Sequence, residues 1–195
     1  MLLVRESKND GKLYVINVVD SIVNTDTLVD VYKIDEIVYE AKYRSTMGQI
    51  TERFESKKND YLLAYCGNKL IGYLTYLPIN ETCKDKILND DYFNDCLIDS
   101  RHIPNVKSKD NSIYILSIAV LPEYQGLGLG LALSKELNKK LSYLNYVYGC
   151  DSVIATAINE KGIKVLENSG FKRLQVKPDK SCIMCKQGGF NVDEI

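Results

Sequence analysis

A glycine-rich turn is the stretch of this sequence whose residue types and spacing could do chemistry. Residues 125–130 read QGLGLG, which places Gly126, Gly128 and Gly130 at alternate positions. Glycine lets a backbone bend tightly and lets a ligand approach its amides. A helical pattern follows at once, and a helix start offers unpaired N–H groups and the positive end of the helix dipole. The turn therefore predicts an anion site, usually for phosphate. The alternative is a tight strand-to-helix connection without a ligand.

The turn lies between a predicted buried strand and a predicted amphipathic helix. Residues 112–120 carry apolar side chains on both faces, which indicates a central strand covered on each side. Pro122 ends that strand, because proline cannot donate a ladder hydrogen bond. The helix then shows one apolar stripe at spacings of 4, 4 and 3, formed by Leu133, Leu137, Leu141 and Leu144.

The spacing of the glycines excludes two common phosphate loops. The dinucleotide fingerprint G-x-G-x-x-G fails, because its last position falls on Leu131 or Leu133, and no G-x-x-x-x-G-K-[ST] run occurs. What remains is Q-x-x-G-x-G, from Gln125 to Gly130. This run resembles the coenzyme A pyrophosphate loop of the GNAT superfamily, the acetyl-CoA-dependent N-acetyltransferases. The preceding IAVLPEY also resembles the lead-in of that family.

A second stretch resembles the same family. Residues 158–171 read INEKGIKVLENSGF, in which Asn159 opens a helix that closes with Gly170 and Phe171. The order of predicted elements from residue 61 to 186 is similar to the whole GNAT core, whereas the first 60 residues fit it only loosely. Two separate signatures, each in its predicted context, make the resemblance specific.

The resemblance implies roles for individual residues. The strand backbone at Ile118, Ala119 and Val120 would pair with the pantetheine arm of acetyl-CoA, and Asn159 would reach that arm near the sulfur. The pyrophosphate would be cradled by backbone amides of the turn, from Gln125, Gly126, Leu127, Gly128, Leu129 and Gly130.

The resemblance does not assign the proton-transfer groups. The family often carries a tyrosine five residues before the closing phenylalanine, where it protonates the leaving thiolate, but this position is Leu166. For the general base we predict Glu81, which lies just past a predicted strand end. His102, the only histidine, titrates in a suitable range, but a lone histidine in a polar segment is more often simply exposed.

The predicted elements form an α/β fold in one domain. We expect a single GNAT-like domain over residues 1–195, with a core at 61–187 and an insertion between strands at 79–111. Its sheet is mixed and mostly antiparallel, with six to seven strands and helices on both faces. We predict a first helix from Lys33 to about Arg44, a strand hairpin around Gly67-Asn68, and a short helix at 91–98. An Asp10-Gly11 hairpin favours strands before residue 23.

Composition excludes several functional classes. The net charge is −1 and no basic tract occurs, which argues against nucleic-acid binding. No apolar run is long enough to span a membrane, and the N-terminus does not resemble a signal peptide, so we expect a cytoplasmic protein. A homodimer is compatible with the sequence.

The six cysteines are expected to be reduced thiols, because disulfides are rare in cytoplasmic proteins. Cys182 and Cys185 form a C-x-x-C, but their odd spacing in a strand puts them on opposite faces, so no metal is expected.

The resemblance implies an enzyme, an N-acetyltransferase that moves the acetyl group of acetyl-CoA to a primary amine. The sequence does not identify the acceptor, which could be a small molecule or a peptide. Residues 81–99 carry six acids and two lysines, so a cationic acceptor steered by this segment is our hypothesis; the alternative is a solvated insertion. Because Leu166 removes the usual acid, a catalytically weak acyl-CoA sensor on the same fold stays open.

Overall fold

The computed structural model describes residues 1–6, 11–20, 23–55 and 60–188. They form one mixed sheet with helices on both faces, as the sequence predicts. The strands are β1 (Leu2–Glu6), β2 (Leu13–Asp20), β3 (Asp60–Cys66), β4 (Lys69–Ile79), β5 (Ser112–Val120), β6 (Ser152–Ala157), β7 (Lys172–Val176) and β8 (Cys182–Gln187). The helices are α1 (Thr25–Val38), α2 (Met47–Glu55), α3 (Glu81–Asn89), α4 (Leu129–Tyr148) and α5 (Glu160–Glu167). Short 3₁₀ turns span Ala41–Tyr43, Asp95–Leu97, Ser100–His102 and Pro122–Tyr124.

The eight strands follow the order β1-β2-β3-β4-β5-β6-β8-β7, one more strand than the upper end of our expectation. Neighbours are antiparallel except β5 and β6, which are parallel. The predicted strands before residue 23 exist as β1 and β2, which pair with each other. Asp10 of the predicted hairpin turn lies outside the described residues. The Gly67-Asn68 hairpin is confirmed, with Gly67 at φ +58°.

Each face of the sheet buries its own core. On one face α4 and α5 cover the strands, and the leucine stripe of α4 is buried there as predicted. On the other face α1 and α2 cover β3 and β4, while α3 and the residues after it form a further cluster against β5, β6 and β8. Cys182 packs into the first core and Cys185 into the last, so the two thiols lie on opposite faces.

The first helix differs from its predicted bounds. It begins at Thr25 rather than Lys33, because the side chain of Asn24 accepts a hydrogen bond from the amide of Thr27 and caps the helix start. Leu28 and Val31 then extend the buried face by two turns toward the N-terminus. The helix ends at Val38, so the predicted extension to Arg44 is wrong beyond that point.

The insertion has its own structure. A helix occupies Glu81–Asn89 and only a 3₁₀ turn occupies Asp95–Leu97, so the predicted helix at 91–98 is wrong in both place and length. The side chain of Asn80 caps α3 by accepting from the amide of Cys83. From the sequence, Pro78 is expected to end the second strand of the Gly67-Asn68 hairpin, since proline cannot donate a ladder hydrogen bond. It instead sits inside β4 opposite Ile113, one residue before the strand ends.

No helix in the described residues is long and apolar enough to cross a membrane.

Candidate active site

A cleft opens where β5 and β6 diverge. The last of three residue pairs between these strands joins Ile115 to Ala155, yet β5 continues to Val120. The pairing of β5 with β4 skips Leu116, which marks a bulge one residue beyond Ile115. Bulges bend a strand and increase its twist. The divergence leaves a cavity of about 1210 Å³ that residues from both faces of the sheet line.

The backbone of the unpaired half of β5 faces this cavity. Ile118 and Val120 line it. Their carbonyls accept from groups outside β4: the Ile118 oxygen accepts from Tyr39 Oη at 2.8 Å, and the Val120 oxygen accepts from Gln125 Nε2 at 3.0 Å. Since N–H and C=O of one strand residue point the same way, both groups of these residues face the cleft. Ala119 between them faces β4 and is fully buried, outside the lining.

The glycine-rich turn forms one end of the cavity. Gly126 and Gly128 adopt φ +80° and +78°, and a Cβ built on either would meet no atom within 4 Å. Gly130 has another role, since its Cβ would lie 3.2 Å from a methyl of Val165, so it lets α4 and α5 approach. Leu127, whose backbone was predicted to contribute, has its side chain buried in the core.

The start of α4 leaves donors for an anion. The first intrahelical bond runs from the amide of Ala132 to the carbonyl of Gly128, at 3.0 Å. The preceding helical amides, those of Leu129, Gly130 and Leu131, therefore have no helical acceptor. All three residues line the cavity. The turn and helix thus have the geometry of an anion site.

Two residues of α5 complete this end of the cavity. Asn159 lines it and caps α5 as predicted, with its Oδ1 accepting from the amide of Gly162 at 2.8 Å. Sequence reasoning missed Lys161, whose Nζ donates to Gln125 Oε1 at 3.3 Å. Lys161 and Gln125 are 36 residues apart, so no local pattern predicts their contact. The one signal in the sequence is that Lys161 closely follows Asn159, which was predicted to lie at the site.

The opposite end of the cavity holds two carboxyl groups, each bonded to a buried tyrosine. Tyr73 Oη donates to Asp35 Oδ1, and Tyr114 Oη lies 3.0 Å from Asp95 Oδ2. Burial raises the pKa of Asp35 from 3.8 to about 6, although the Tyr73 hydrogen bond and the charge of Arg53 oppose the shift. Burial also raises the pKa of Asp95. Both acids therefore hold their protons more tightly than an exposed aspartate.

A buried guanidinium lies near both acids. Arg53 of α2 donates to Ser45 Oγ at 2.6 Å and to the carbonyl of Cys96 at 3.5 Å. Its charge lowers the pKa of Asp35 and of Asp95 against the larger effect of burial. This end of the cavity, the chamber, therefore combines acidic and basic side chains with aromatic walls. The walls include Tyr39, Tyr43, Tyr92 and Phe93.

The predicted base does not lie in the cavity. Glu81 is exposed in the first turn of α3 and is absent from the residues that line the cavity. Sequence reasoning placed it correctly after a strand end, but β4 runs on to Ile79 and α3 begins directly after its cap Asn80, which leaves Glu81 in the exposed first turn of that helix. His102, expected to be exposed, is buried at 5 % and caps its own 3₁₀ turn by accepting from the amide of Asp99. Leu166 lines the cavity and offers no hydroxyl.

Comparison with known proteins agrees with this architecture. The model of the acetyltransferase (GNAT) family matches residues 28–171. A comparison with curated protein sequences finds no match.

Three solved structures illustrate the likeness of fold. NAA60 of Arabidopsis thaliana with a bisubstrate analogue gives a TM-score of 0.65 at 14 % identity, over 90 % of this chain and 100 % of that one. The ribosomal-protein-S18-alanine N-acetyltransferase of Escherichia coli gives 0.58 at 15 %, over 92 % and 98 %. Arabidopsis thaliana Naa50 with CoA-Ac-MVNAL gives 0.58 at 16 %, over 88 % and 98 %. The family match spans well over half of the chain and contains the whole cavity-bearing part of the sheet from β3 to β6, so the chain belongs to the acetyltransferase (GNAT) family.

Proposed function

We propose that this protein transfers the acetyl group of acetyl-CoA to a primary amine of a cationic acceptor. One observation carries the proposal: a single cavity joins the glycine-rich turn on one face of the sheet to the chamber of carboxyl groups and tyrosines on the other. A thioester placed between β5 and β6 would meet an amine that enters from the opposite face.

The residues at the turn fit the phosphates of coenzyme A. The positions of Gly126 and Gly128 are open toward the cavity, where a side chain would occupy the space of a ligand. The free amides at the start of α4 point to the same place, and Lys161 adds a positive charge. We assign the pyrophosphate to this end of the cavity.

The pantetheine arm fits the unpaired half of β5. The backbone groups of Ile118 and Val120 face the cleft at the spacing of alternate strand residues. An amide-bearing arm can therefore lie beside β5 as an extra strand would. This position carries the thioester toward Leu116 and Ser117, where the cavity passes through the sheet.

The chemistry requires position and two proton transfers. A neutral amine attacks the thioester carbonyl, the carbon–sulfur bond breaks and coenzyme A leaves as a thiolate. Holding the amine and the thioester in line contributes several kcal/mol of the barrier reduction, on the order of 7–11 kcal/mol in well-oriented systems. The loss of a tyrosine at position 166 does not empty the site of hydroxyls, since Tyr39 and Tyr114 line the cavity. Catalysis therefore agrees better with this site than a sensor role.

Carboxyl groups at the acceptor end offer contacts to a cationic amine, beside the cations Lys42, Arg53 and Lys177, which line the cavity as well. Asp91 and Asp95 of the insertion line the cavity, and Asp35 lies opposite them on α1, whereas Asp90 does not line it. Tyrosine and phenylalanine rings nearby can also hold an ammonium group. Peptide N-termini are a second source of primary amines, and the analogue bound to Naa50 carries the peptide MVNAL.

The proposal is tested by measuring thiol release from acetyl-CoA with a panel of amines. The panel contains spermine, an aminoglycoside, a lysine peptide, a peptide with a free N-terminus, and the matched pair 1,5-diaminopentane and pentylamine. We expect release above the hydrolysis rate, with a higher kcat/KM for the diamine than for pentylamine. Tight binding of acetyl-CoA without release for any amine would favour the sensor and overturn the proposal.

A further inference from the structure

Three hydroxyl side chains connect a buried carboxyl group to the backbone that faces the cleft. Tyr73 Oη bonds to Asp35 Oδ1 and lies 3.1 Å from Ser117 Oγ. Ser117 Oγ in turn lies 3.0 Å from Tyr39 Oη. Tyr39 Oη reaches the carbonyl of Ile118, whose backbone faces the cleft, at 2.8 Å. All of these groups line the cavity, and they come from α1, β4, β5 and the residue after α1.

We propose that Asp35, Tyr73, Ser117 and Tyr39 form a proton relay that removes the proton of the attacking amine. Tyr39 is the member that contacts the amine, and Asp35 is the final acceptor. This inference rests on the proposed transfer of acetyl to an amine and names the base that the transfer needs. It replaces Glu81, which the fold keeps outside the cavity.

The relay balances in protons and electrons. The amine nitrogen forms a bond to the acetyl carbon, the carbon–sulfur bond breaks, and its electron pair leaves on sulfur. The amine proton passes to Tyr39 Oη, while Tyr39 passes its own proton to Ser117, Ser117 to Tyr73, and Tyr73 to the Asp35 carboxylate. Each hydroxyl ends with one proton and Asp35 ends as a carboxylic acid. The Asp35 carboxylic acid then gives its proton to the thiolate through solvent in the cavity, which restores the carboxylate and leaves coenzyme A as a thiol.

The hydroxyl groups need only rotate for this transfer. Tyr39 donates to Ile118 at rest and must turn its O–H bond to Ser117, which in turn must point to Tyr73. These are rotations about single C–O bonds, and hydroxyl protons rotate to suit their partners. The heavy atoms already lie within hydrogen-bond distance at every step.

The surroundings of Asp35 suit a base that works at neutral pH. Its carboxyl group is 7 % exposed. Burial raises its pKa to about 6, the guanidinium groups of Arg53 and Arg44 lower it, and Tyr73 donates to its charged form. The carboxylate is therefore ionised above pH 6 and loses its ability to accept a proton below that value. Both tyrosines stay protonated, because burial raises their pKa further above 10.

The experiment compares pH–rate profiles of kcat/KM for the best amine of the panel. In the unchanged protein we expect a break near pH 6 in the plot of log kcat/KM against pH. The slope should be one unit steeper below the break than above it. Asp35→Asn should remove that break and lower kcat/KM at pH 7.5 by about 10²-fold or more, within the usual range of general-base effects. Asparagine keeps the shape of the side chain and removes a buried charge, so thermal unfolding should confirm a folded variant.

A matched control separates the relay from a general effect of charge. Asp60 also accepts from a tyrosine of β4, since Tyr76 Oη lies 3.2 Å from Asp60 Oδ2, and burial raises its pKa. Neither residue of this pair lines the cavity. Asp60→Asn should therefore keep both the rate and the break near pH 6.

Ser117 tests the middle of the relay. Ser117→Ala should lose the break and most of the rate, whereas Ser117→Thr, which keeps a hydroxyl, should restore both. A break that persists in Asp35→Asn would overturn the relay. Loss of the break in Asp95→Asn but not in Asp35→Asn would also overturn it, because the base would then be the Asp95 and Tyr114 pair. If no amine of the panel is acetylated, the proposed function fails and the relay with it. If amines are acetylated and the break persists, only the relay fails.

Discussion

Position 166 holds a leucine, which has no proton to give to a leaving thiolate. Leu166 is 3 % exposed, lines the cavity and packs with the core under α5. A side chain without a hydroxyl there leaves proton transfer to other groups, and the proposed relay takes them from α1, the residue after it, β4 and β5. These groups lie far from Leu166 in the sequence, and the bonded pair Asp35 and Tyr73 is itself 38 residues apart. Residue spacing alone could not predict them, because no periodicity relates α1 to β4.

Lys161 should hold the phosphates of coenzyme A electrostatically. Lys161→Ala should weaken CoA binding about tenfold, or about 1.4 kcal/mol, because a charge-assisted contact beside the glycine-rich turn is lost. Binding of pantetheine, which has no phosphate, should not change. Lys172→Ala is the matched control, since Lys172 is exposed on β7 and does not line the cavity.

Titration calorimetry of the Lys161 and Lys172 variants against both ligands measures the effect. Equal affinity of Lys161→Ala and the unchanged protein for CoA would contradict the assignment of the pyrophosphate. A rise in salt concentration should reduce the difference in CoA affinity between Lys161→Ala and the unchanged protein, because exposed charges are screened.

At the scale of elements, the strand-turn-helix unit was the part best predicted from sequence. β5, α4 and α5 lie close to where their patterns put them, because a two-faced apolar strand and a leucine stripe are strong local signals. The insertion was poorly predicted, because α3 is short and its stability comes from the Asn80 cap and from packing of Cys83 and Ile87 against distant strands. Such tertiary contacts override weak local propensity.

The insertion supplies the test of acceptor charge. Asp91 is exposed and lines the cavity, whereas Asp85 is exposed on α3 and does not. Asp91→Lys should lower kcat/KM for 1,5-diaminopentane by about tenfold and less at high salt, because it reverses a charge on the approach path. Asp85→Lys changes the net charge of the chain equally and should have little effect.

Initial-rate measurements with the two variants at low and high ionic strength decide between steering and solubility. Equal kcat/KM for Asp91→Lys and Asp85→Lys would show that the acids of the insertion do not guide the acceptor. Reversal at Asp90 or Asp95 is a poorer choice, because Asp90 accepts from the amide of Tyr92 and Asp95 is bonded to Tyr114.

On the scale of the whole molecule, one sheet divides the two proposed substrate sites. The core under α4 and α5 supports the coenzyme end, and the cores under α1, α2 and α3 support the acceptor end. The class of fold follows from the order of elements along the chain. The order of elements does not predict which face of the sheet each helix covers, because both faces of a central strand are apolar. The bulge at Leu116, which opens the gap between the two ends, has no mark in the sequence.

The cavity that passes through the sheet also bears on the kinetics of the proposed reaction. If coenzyme and acceptor enter from opposite faces, as proposed, both can be present together and neither must leave before the other enters. Acetyl transfer should then be sequential, with intersecting lines in double-reciprocal plots. Of the cysteines, only Cys96 lines the cavity, and burial raises the pKa of its thiol, which leaves it a poor nucleophile. Intact-mass measurement after incubation with acetyl-CoA alone should show no acetylated protein; parallel lines and a mass gain of one acetyl group would instead indicate a covalent intermediate.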